Sequence, residues 1–472
     1  MTQFKGDKLK INPFSSLYFG LNTAIRKGVE LYCSYIEGSY MLMLNKLTFL
    51  VTLLVGTSLW SQSLVLPLDS KYQHGSKSSL SFQEFSRVGS QVESKLNSYT
   101  QLGYKASGKT YDINITWVPE EESMPYVDAP EFYYEVNKDI QLGRKLYTWN
   151  RLDEVFSLSV IQPVFKNNLA LPKQQGLTGA WWDLGGVQLY ASVVHVPDMG
   201  PYFEQKNGTL YSKNPWFKRP VSSVEFQQKD TNIEYSLNIP EVTEMAFKPA
   251  VGFNTSAPFT EKLSLDVSAL YKPMNQIHIE LSSPEFVINP EKINVNVFPK
   301  VVSHTVFSTQ LKYQLSSNTT AYTSYMYDQP ESNEIPSDWE QAVLYRSQIY
   351  GGGVDYKYKN IQLGVHYFQR TDEFPEREKK EIEADVTSSF DRFPYKDAFL
   401  AVAGINSLKW NWQMKWQSSK DLANSLVYLR SLYRYSSNIN VYADALVIGG
   451  DEGFYSNYRE NDFFSLGAEY VF

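Results

Sequence analysis

From Thr110 onward the chain alternates apolar and polar residues with a period of two, segment after segment. In Ser407-Leu-Lys-Trp-Asn-Trp-Gln-Met-Lys-Trp416 every even position is apolar and every odd position polar. The pattern returns in Lys262–Tyr271, Asn275–Ser282, Asn360–Tyr367 and Asn438–Val447, and more weakly in Asp112–Trp117, Val187–Val196, Asn318–Tyr327 and Val354–Lys359. Successive side chains of a strand point to opposite faces, so each of these segments has one apolar and one polar face. The fold class is therefore all-β. A soluble sandwich satisfies the pattern as well as a membrane barrel does, because its strands also face a core on one side and water on the other.

Length, aromatic placement and turn economy separate the two. Several segments run about ten residues, the length that a tilted strand needs to cross a bilayer. Trp410 and Trp416, Tyr356 and Tyr358, and Tyr433 and Tyr435 lie near segment ends, where interface girdles place aromatics. Tight connections such as Lys359-Asn360 and Asn406-Ser407 alternate with long polar ones, Pro197–Asp230, Gln329–Glu340, Asp372–Lys380 and Gly449–Asp462. Composition agrees. The 472 residues include 34 Tyr, 27 Phe and 10 Trp, yet only 43% are hydrophobic and the mean hydropathy is −0.36. A polytopic helical membrane protein is excluded by that value, and one cysteine excludes a disulfide or zinc scaffold. The net charge of −7 provides no basic field for nucleic acid. No repeat of 20 to 50 residues marks a propeller or solenoid.

The longest apolar run begins near Leu47. Lys46 reads as a basic n-region, Leu47–Val55 as the h-region and Ser61-Gln-Ser63 as a small-x-small cleavage site, so residues 41–63 read as a secretory signal. The rival reading is a single helical anchor. A signal beginning at Met41 or Met43 makes residues 1–40, which hold Cys33, a doubtful upstream extension. Residues 64–107 read as a periplasmic or plug segment with one helix: Phe82, Phe85, Val88, Val92, Leu96 and Tyr99 recur at spacings of three and four, and Ser81-Phe-Gln-Glu84 supplies a capping box.

The chain ends in alternation. Phe464, Leu466, Ala468, Tyr470 and Phe472 form one apolar face, with Gly467 and Glu469 on the other. This carboxy-terminal aromatic, with the strand array before it, resembles the assembly signal of Gram-negative outer-membrane β-barrels of the porin-like kind. The resemblance covers about residues 108–472. It implies export, insertion by the barrel-assembly machinery, outer-membrane lipid and lipopolysaccharide as surroundings, and a closed antiparallel barrel. Sixteen strands are expected after Gly108, with 14 and 18 open. Barrels of this size are often homotrimers, although the sequence marks no trimer face. Lys409, Lys415, Asp266, Glu280, Asp444 and Glu469 are expected to face a wetted lumen.

In Gly143-Arg144-Lys145-Leu-Tyr-Thr-Trp149-Asn150-Arg151-Leu-Asp153-Glu154 the strand pattern fails. The segment is similar to the inward-folded loops of porin-like barrels, in which Arg144, Lys145 and Arg151 opposite Asp153 and Glu154 would form a charged constriction for small solutes. The plainer alternative is a surface loop or structural ion pairs. Val196–Phe203 and Asn214–Pro220 are dense in Pro, Gly and aromatics, as an ordered loop, external or folded inward, would be. His74, His195, His278, His304 and His366 are dispersed, and no nucleophile elbow, H-E-x-x-H helix or carboxylate cluster is present. No enzyme and no cofactor is expected. The leading expectation is a porin-like channel for small hydrophilic solutes; the alternatives are a non-conducting barrel for adhesion or surface structure, a hydrophobic-compound channel, and a barrel enzyme.

Overall fold

The computed structural model describes residues 75–85, 98–122, 124–226, 228–282, 292–331, 339–341, 344–373, 393–420, 424–450 and 454–472. Residues 1–40, the signal segment 41–63, and the positions Val88, Val92 and Leu96 lie outside the described residues. Eighteen strands form one closed antiparallel sheet. In chain order they are β1 (Gly75–Phe85), β2 (Ser98–Ser107), β3 (Tyr111–Trp117), β4 (Tyr126–Glu135), β5 (Ile140–Lys145) and β6 (Leu177–Asp183). Next come β7 (Val187–Ser192), β8 (Ala250–Pro258), β9 (Leu263–Pro273), β10 (Ser303–Ser316), β11 (Thr319–Pro330) and β12 (Arg346–Tyr358). The last six are β13 (Ile361–Glu373), β14 (Asp397–Asn406), β15 (Trp410–Ser418), β16 (Ser425–Arg434), β17 (Ile439–Gly449) and β18 (Phe463–Val471). Each pairs with its sequence neighbour, and β18 returns to β1 in a register that runs from Lys77↔Val471 to Phe85↔Phe463.

The alternation sorts side chains as its period demands. On β13, Leu363 and Val365 are exposed on the outer wall whereas His366, Phe368 and Arg370 are buried inside. On β18 the signal face Phe464, Leu466, Ala468, Tyr470 and Phe472 is exposed, and Glu469 is buried. Connections at one end are short, as at Ser317-Asn318 and Lys359-Asn360, and Gly75 and Val471 lie at that end too. Around it run outward aromatics, with Trp410 packed on Trp412 and Tyr433 at 5.8 and 4.7 Å and Tyr470 on Phe472 at 5.0 Å. The opposite end carries the long loops. Closure, apolar exterior, aromatic girdle and unequal ends together are the architecture of a porin-like outer-membrane barrel. The wall is uneven in height, from 6 residues in β5 to 14 in β10.

Several sequence expectations need correction. The count of sixteen holds for the strands after Gly108, and the two extra strands come from the segment expected to be helical. Gly75–Phe85 and Ser98–Ser107 are β1 and β2, so the barrel begins at residue 75 and not at 108. Phe82 and Phe85 follow a strand period: Leu80 and Phe82 point out, while Ser79, Ser81, Gln83 and Phe85 point in. The small serines on the inner face hid the alternation, and pairing with the otherwise open edge of β18 overrides a local helical signal. The α-helices that are described lie elsewhere, in α1 (Arg151–Phe156) and α2 (Val242–Ala246), with 3-10 turns at Pro119–Glu121 and Phe454–Asn461. Glu280 and His278 are not in the barrel wall. His278–Ser282 belongs to a five-stranded sheet with Ser223–Phe226, Lys229–Leu237, Lys292–Lys300 and Trp339–Gln341, drawn from three long loops. Lys409 lies in the turn between β14 and β15. Asp266, Lys415, Asp444 and Glu469 take inward positions as expected, but they are buried and not wetted.

The inner wall is divided by height. A band of its inward residues is apolar, Met326, Ile349, Phe368, Leu400, Leu426, Leu446 and Phe463, and on β11 to β13 Asp328, Ser347 and Arg370 lie beyond that band toward the long-loop end. Toward the short-turn end the same strands present Ser324, Asp355, His366, Arg430, Asp444 and Glu469. Glycine fits one close approach here. A Cβ on Gly467 would lie 2.2 Å from the Tyr442 ring, which is paired across from it and lies 4.4 Å from the Arg430 guanidinium. Gly467→Ala is expected to cost about 1–3 kcal/mol by overpacking, seen as a lower temperature for conversion of the fast-migrating unboiled form to the boiled form on SDS gels. Equal migration of boiled and unboiled wild-type chain would contradict the barrel.

Candidate functional site

The connection between β5 and β6, Leu146–Gly176, turns into the barrel. Its entry is fixed by one side chain. Asn150 has extended backbone and caps α1, its Oδ1 accepting from the Leu152 and Asp153 amides at 2.9 and 3.3 Å. Its Nδ2 donates to Ser308 Oγ on β10 at 2.7 Å and to Ser324 Oγ on β11 at 2.6 Å. The Arg151 amide donates to Gln310 Oε1 at 2.7 Å. Helix start and barrel wall are thus joined through Asn150 and Gln310. The helix is short, ending at Ser157 with left-handed backbone, and its apolar residues Leu152, Val155 and Phe156 are buried. Phe156 meets Phe368 of β13 edge to face at 4.6 Å.

Asp153 holds the turn that follows. Its carboxylate accepts from the amides of Val160, Ile161 and Gln162 at 2.9, 3.1 and 3.2 Å. Burial pushes its pKa up to about 6, against the lowering effect of those three donors and of Lys272. A second loop, 193–249, closes over the first. Asp198 accepts from Ser159 Oγ at 2.6 Å and the Val164 amide at 2.7 Å and pairs with Lys166 at 2.6 Å. Asn214 Nδ2 donates to Glu121 Oε1 at 3.1 Å and to the Tyr126 hydroxyl at 3.1 Å. Pro215 O accepts from Asn461 at 2.7 Å, and Trp216 packs on Tyr458 at 5.9 Å, both partners lying between β17 and β18. The two loops therefore connect the β10–β13 wall with the β17–β18 end across the lumen. Their apolar residues form one cluster with the apolar upper wall.

The structure brings two of the five expected charged residues together. Arg151 pairs with Glu154 at 2.8 Å and reaches Asp355 of β12 at 3.2 Å. Asp355 Oδ1 lies 3.5 Å from His366 Nε2, and the other ring nitrogen of His366 is 2.9 Å from the Tyr322 hydroxyl. Glycines 353 and 364 give this imidazole its place against the sheet: a Cβ on either would lie 2.3 or 2.7 Å from a ring nitrogen. Asp153 stands apart as a turn residue. Arg144 and Lys145 belong to β5, with Arg144 bonded to Thr178 and to Gln175 and Lys145 lying 4.6 and 4.8 Å above the Tyr133 and Tyr147 rings. A ladder of ion pairs occupies another part of the lower wall, with Arg430 between Asp444 and Glu469, and Lys77 on Glu469. Among the described residues no group of three His, Cys, Asp or Glu is arranged to hold a metal.

Sequence reasoning missed Asn150 as the anchor and Asp355, His366 and Tyr322 as partners of Arg151. The first was signalled locally, since Asn followed by acidic residues in the first turn marks a helix start. The others come together only through the barrel register.

No family model and no curated protein matches the sequence. Among solved structures, Pseudomonas aeruginosa OccK3 (OpdO) is similar at 9% identity and a TM-score of 0.42, over 84% of this chain and 95% of that one. Acinetobacter baumannii OccAB4 is similar at 8% identity and a TM-score of 0.37, over 85% and 99%. A triple mutant of Rhodopseudomonas blastica porin is similar at 7% identity and a TM-score of 0.34, over 84% and 98%. At these values the functional reading rests on the geometry above.

Asn150→Ala removes a helix cap and leaves two wall serines without their donor, a loss of about 2 kcal/mol. Hydrogen exchange of residues 146–176 is expected to quicken while that of β10 and β11 stays slow. Asp153→Ala strands three buried amides and is expected to expose the same segment to limited proteolysis.

Proposed function

We propose that this chain is a substrate-selective, porin-like channel of the bacterial outer membrane, with Leu146–Gly176 as its selectivity element. The observation that carries the reading is the course of that segment, which leaves the wall after Lys145, crosses the lumen and returns at Leu177. A barrel of about eighteen strands is wide enough for an aqueous channel unless its interior is filled. Here a folded loop takes up that interior, and its Arg151, paired with Glu154, meets Asp355, beside His366, on the polar lower wall. Fixed charges at a narrowing set which solutes pass. Arg151 and Glu154 serve as the constriction pair, Arg144 and Lys145 as cationic residues of the adjoining wall, and Asp153 as the group that shapes the loop. Phe464, Leu466, Ala468, Tyr470 and Phe472 serve as the insertion signal read by the barrel-assembly machinery, consistent with their outward exposure.

The apolar cluster between loops and upper wall favours the second reading, a non-conducting barrel whose long loops serve adhesion or surface structure. One experiment separates them. Lys145 and Leu177 are directly paired, so residues 147–175 can be replaced by a two-residue hairpin turn without disturbing β5 or β6. In planar bilayers the wild type is expected to pass a small, ion-selective current, and the shortened chain a current several-fold larger with weaker selectivity. Silence from both proteins would overturn the channel.

A further inference from the structure

We infer that residues 194–202 form a lateral gate, a strap that swings out of the barrel wall and lets the hydrocarbon body of an amphipathic solute pass between the lumen and the outer leaflet. This goes beyond the channel reading and does not rest on it, since the path runs sideways and carries no ionic current. The wall has a breach that the sheet does not close. Strand β4 rises past Phe132 to Tyr126, but β5 stops at Lys145, just beyond the Arg144 that pairs with Phe132. Strand β6 starts at Leu177, opposite Lys145, and β7 stops at Ser192, opposite Ala250. Above these ends the strap spans the space between β9 and β4. It leaves the top of β7 and ends with Tyr202 stacked on Tyr126 of β4 at 4.3 Å.

The composition of the strap suits lipid. Val193, at its start, is 69% exposed, and Val194, Val196 and Met199 are half-buried. Pro197 and Pro201 bring no N–H that would have to be satisfied in hydrocarbon. The strap is also held differently from a strand. Its Asp198 and Met199 amides donate to Asn275 O at 2.7 Å and to Val164 O at 3.2 Å, and Met199 O accepts from the Lys166 amide at 2.6 Å. The Tyr202 amide donates to the Tyr126 hydroxyl at 3.3 Å. These partners are loop backbone and one side chain, where a wall strand has a ladder on each side. A single bridge, Phe165↔Met199, is its β-pairing among the described residues. The Asp198 carboxylate adds its contacts to Ser159, the Val164 amide and Lys166. Segments with few backbone bonds open locally at far lower cost than sheet does, so the strap can leave while the barrel stays closed below it.

What lies behind the strap decides what passes. A small cavity is lined by Val194 and Val196 of the strap and by Pro163, Leu177, Tyr190 and Ala250. Val160, Ile161 and Leu171 of the first loop belong to the apolar cluster that continues to Met326, Phe368 and Leu426 of the wall. An opened strap therefore joins an apolar interior to lipid. Hydrocarbon can take that route without meeting bulk water, and a bare ion cannot.

The test uses the full chain carrying Cys33→Ser, refolded into phosphatidylcholine vesicles in which some lipid bears a diazirine at the end of one acyl chain. That acyl chain stands in for the hydrocarbon body of the solute. After illumination the labelled residues are mapped by mass spectrometry, and folding of each variant is checked by its migration unboiled. Label is expected on the strap and, through its opening, on residues 160–171. Phe165→Cys combined with Met199→Cys places two thiols at a bridge spacing that a disulfide accepts. Oxidation of that variant is expected to abolish label at 160–171 and dithiothreitol to restore it, while the strap stays labelled. Asp198→Ala is expected to raise label at 160–171 about tenfold, as loss of charge-assisted hydrogen bonds implies. Absence of label at 160–171 in the parent chain, or equal label there in the oxidised and reduced double variant, would overturn the gate. A strap without label would overturn its contact with lipid and the gate with it. Planar-bilayer current reports on the channel reading alone, because a silent barrel with oxidation-sensitive label keeps the gate and loses the channel.

Discussion

Everything in this molecule follows from the need to pair backbone amides in a medium that offers none. An unpaired N–H or C=O in hydrocarbon costs several kcal/mol, so a sheet in lipid has to end where it began. The seam between β1 and β18 meets that demand from Lys77↔Val471 to Phe85↔Phe463. With the edges gone, each strand has an outside and an inside, and the rest of the sequence is divided between them. Aromatic residues are numerous because the outside must be apolar and its rim amphipathic; mean hydropathy is low because every second residue, and every loop, sees something other than lipid.

That division explains what could be read from the sequence and what could not. Strands such as β13 and β15 were legible because their inner residues are polar and their outer ones apolar. Strand β1 was not, because Ser79 and Ser81 on its inner face are small, and Phe82 and Phe85 fall by chance at helical spacing. Its identity is set by β18, nearly four hundred residues away in sequence. The same holds for the charged cluster. Arg151 and Glu154 are neighbours on one helical turn and could be found by inspection, but Asp355, His366 and Tyr322 join them through a register that no local pattern encodes. The hairpin of His278–Ser282 misled in the other direction, since a strand that alternates in a loop sheet looks like one that alternates in a wall.

The loop interior shows two ways of burying backbone without secondary structure. Asn150 satisfies two amides of α1 and reaches two wall serines, and Asp153 gathers three amides of the turn beyond. Buried polar groups are tolerated only when partnered, and here one amide and one carboxylate side chain partner five amides of a segment that has only six helical residues. The apolar side chains between these anchors pack against the upper wall, so the loop is held from above by burial and from below by directed bonds. The lower wall, by contrast, is lined with ion pairs and other polar groups that are themselves mostly buried.

The uneven wall has a consequence for the surrounding membrane. At about 3.3 Å per residue and a tilt of about 40°, β5 rises roughly 15 Å along the barrel axis while β10 rises roughly 35 Å. Lipid tails meeting the two sides cannot have the same extension. Beside β5 to β7 the bilayer is compressed or its headgroups bend toward the barrel, at a fraction of a kcal/mol per ångström of mismatch, whereas beside β10 to β13 it stands at full thickness. The protein therefore imprints a direction on the lipid around it, and the elastic cost of the low side is borne by the membrane instead of by the fold.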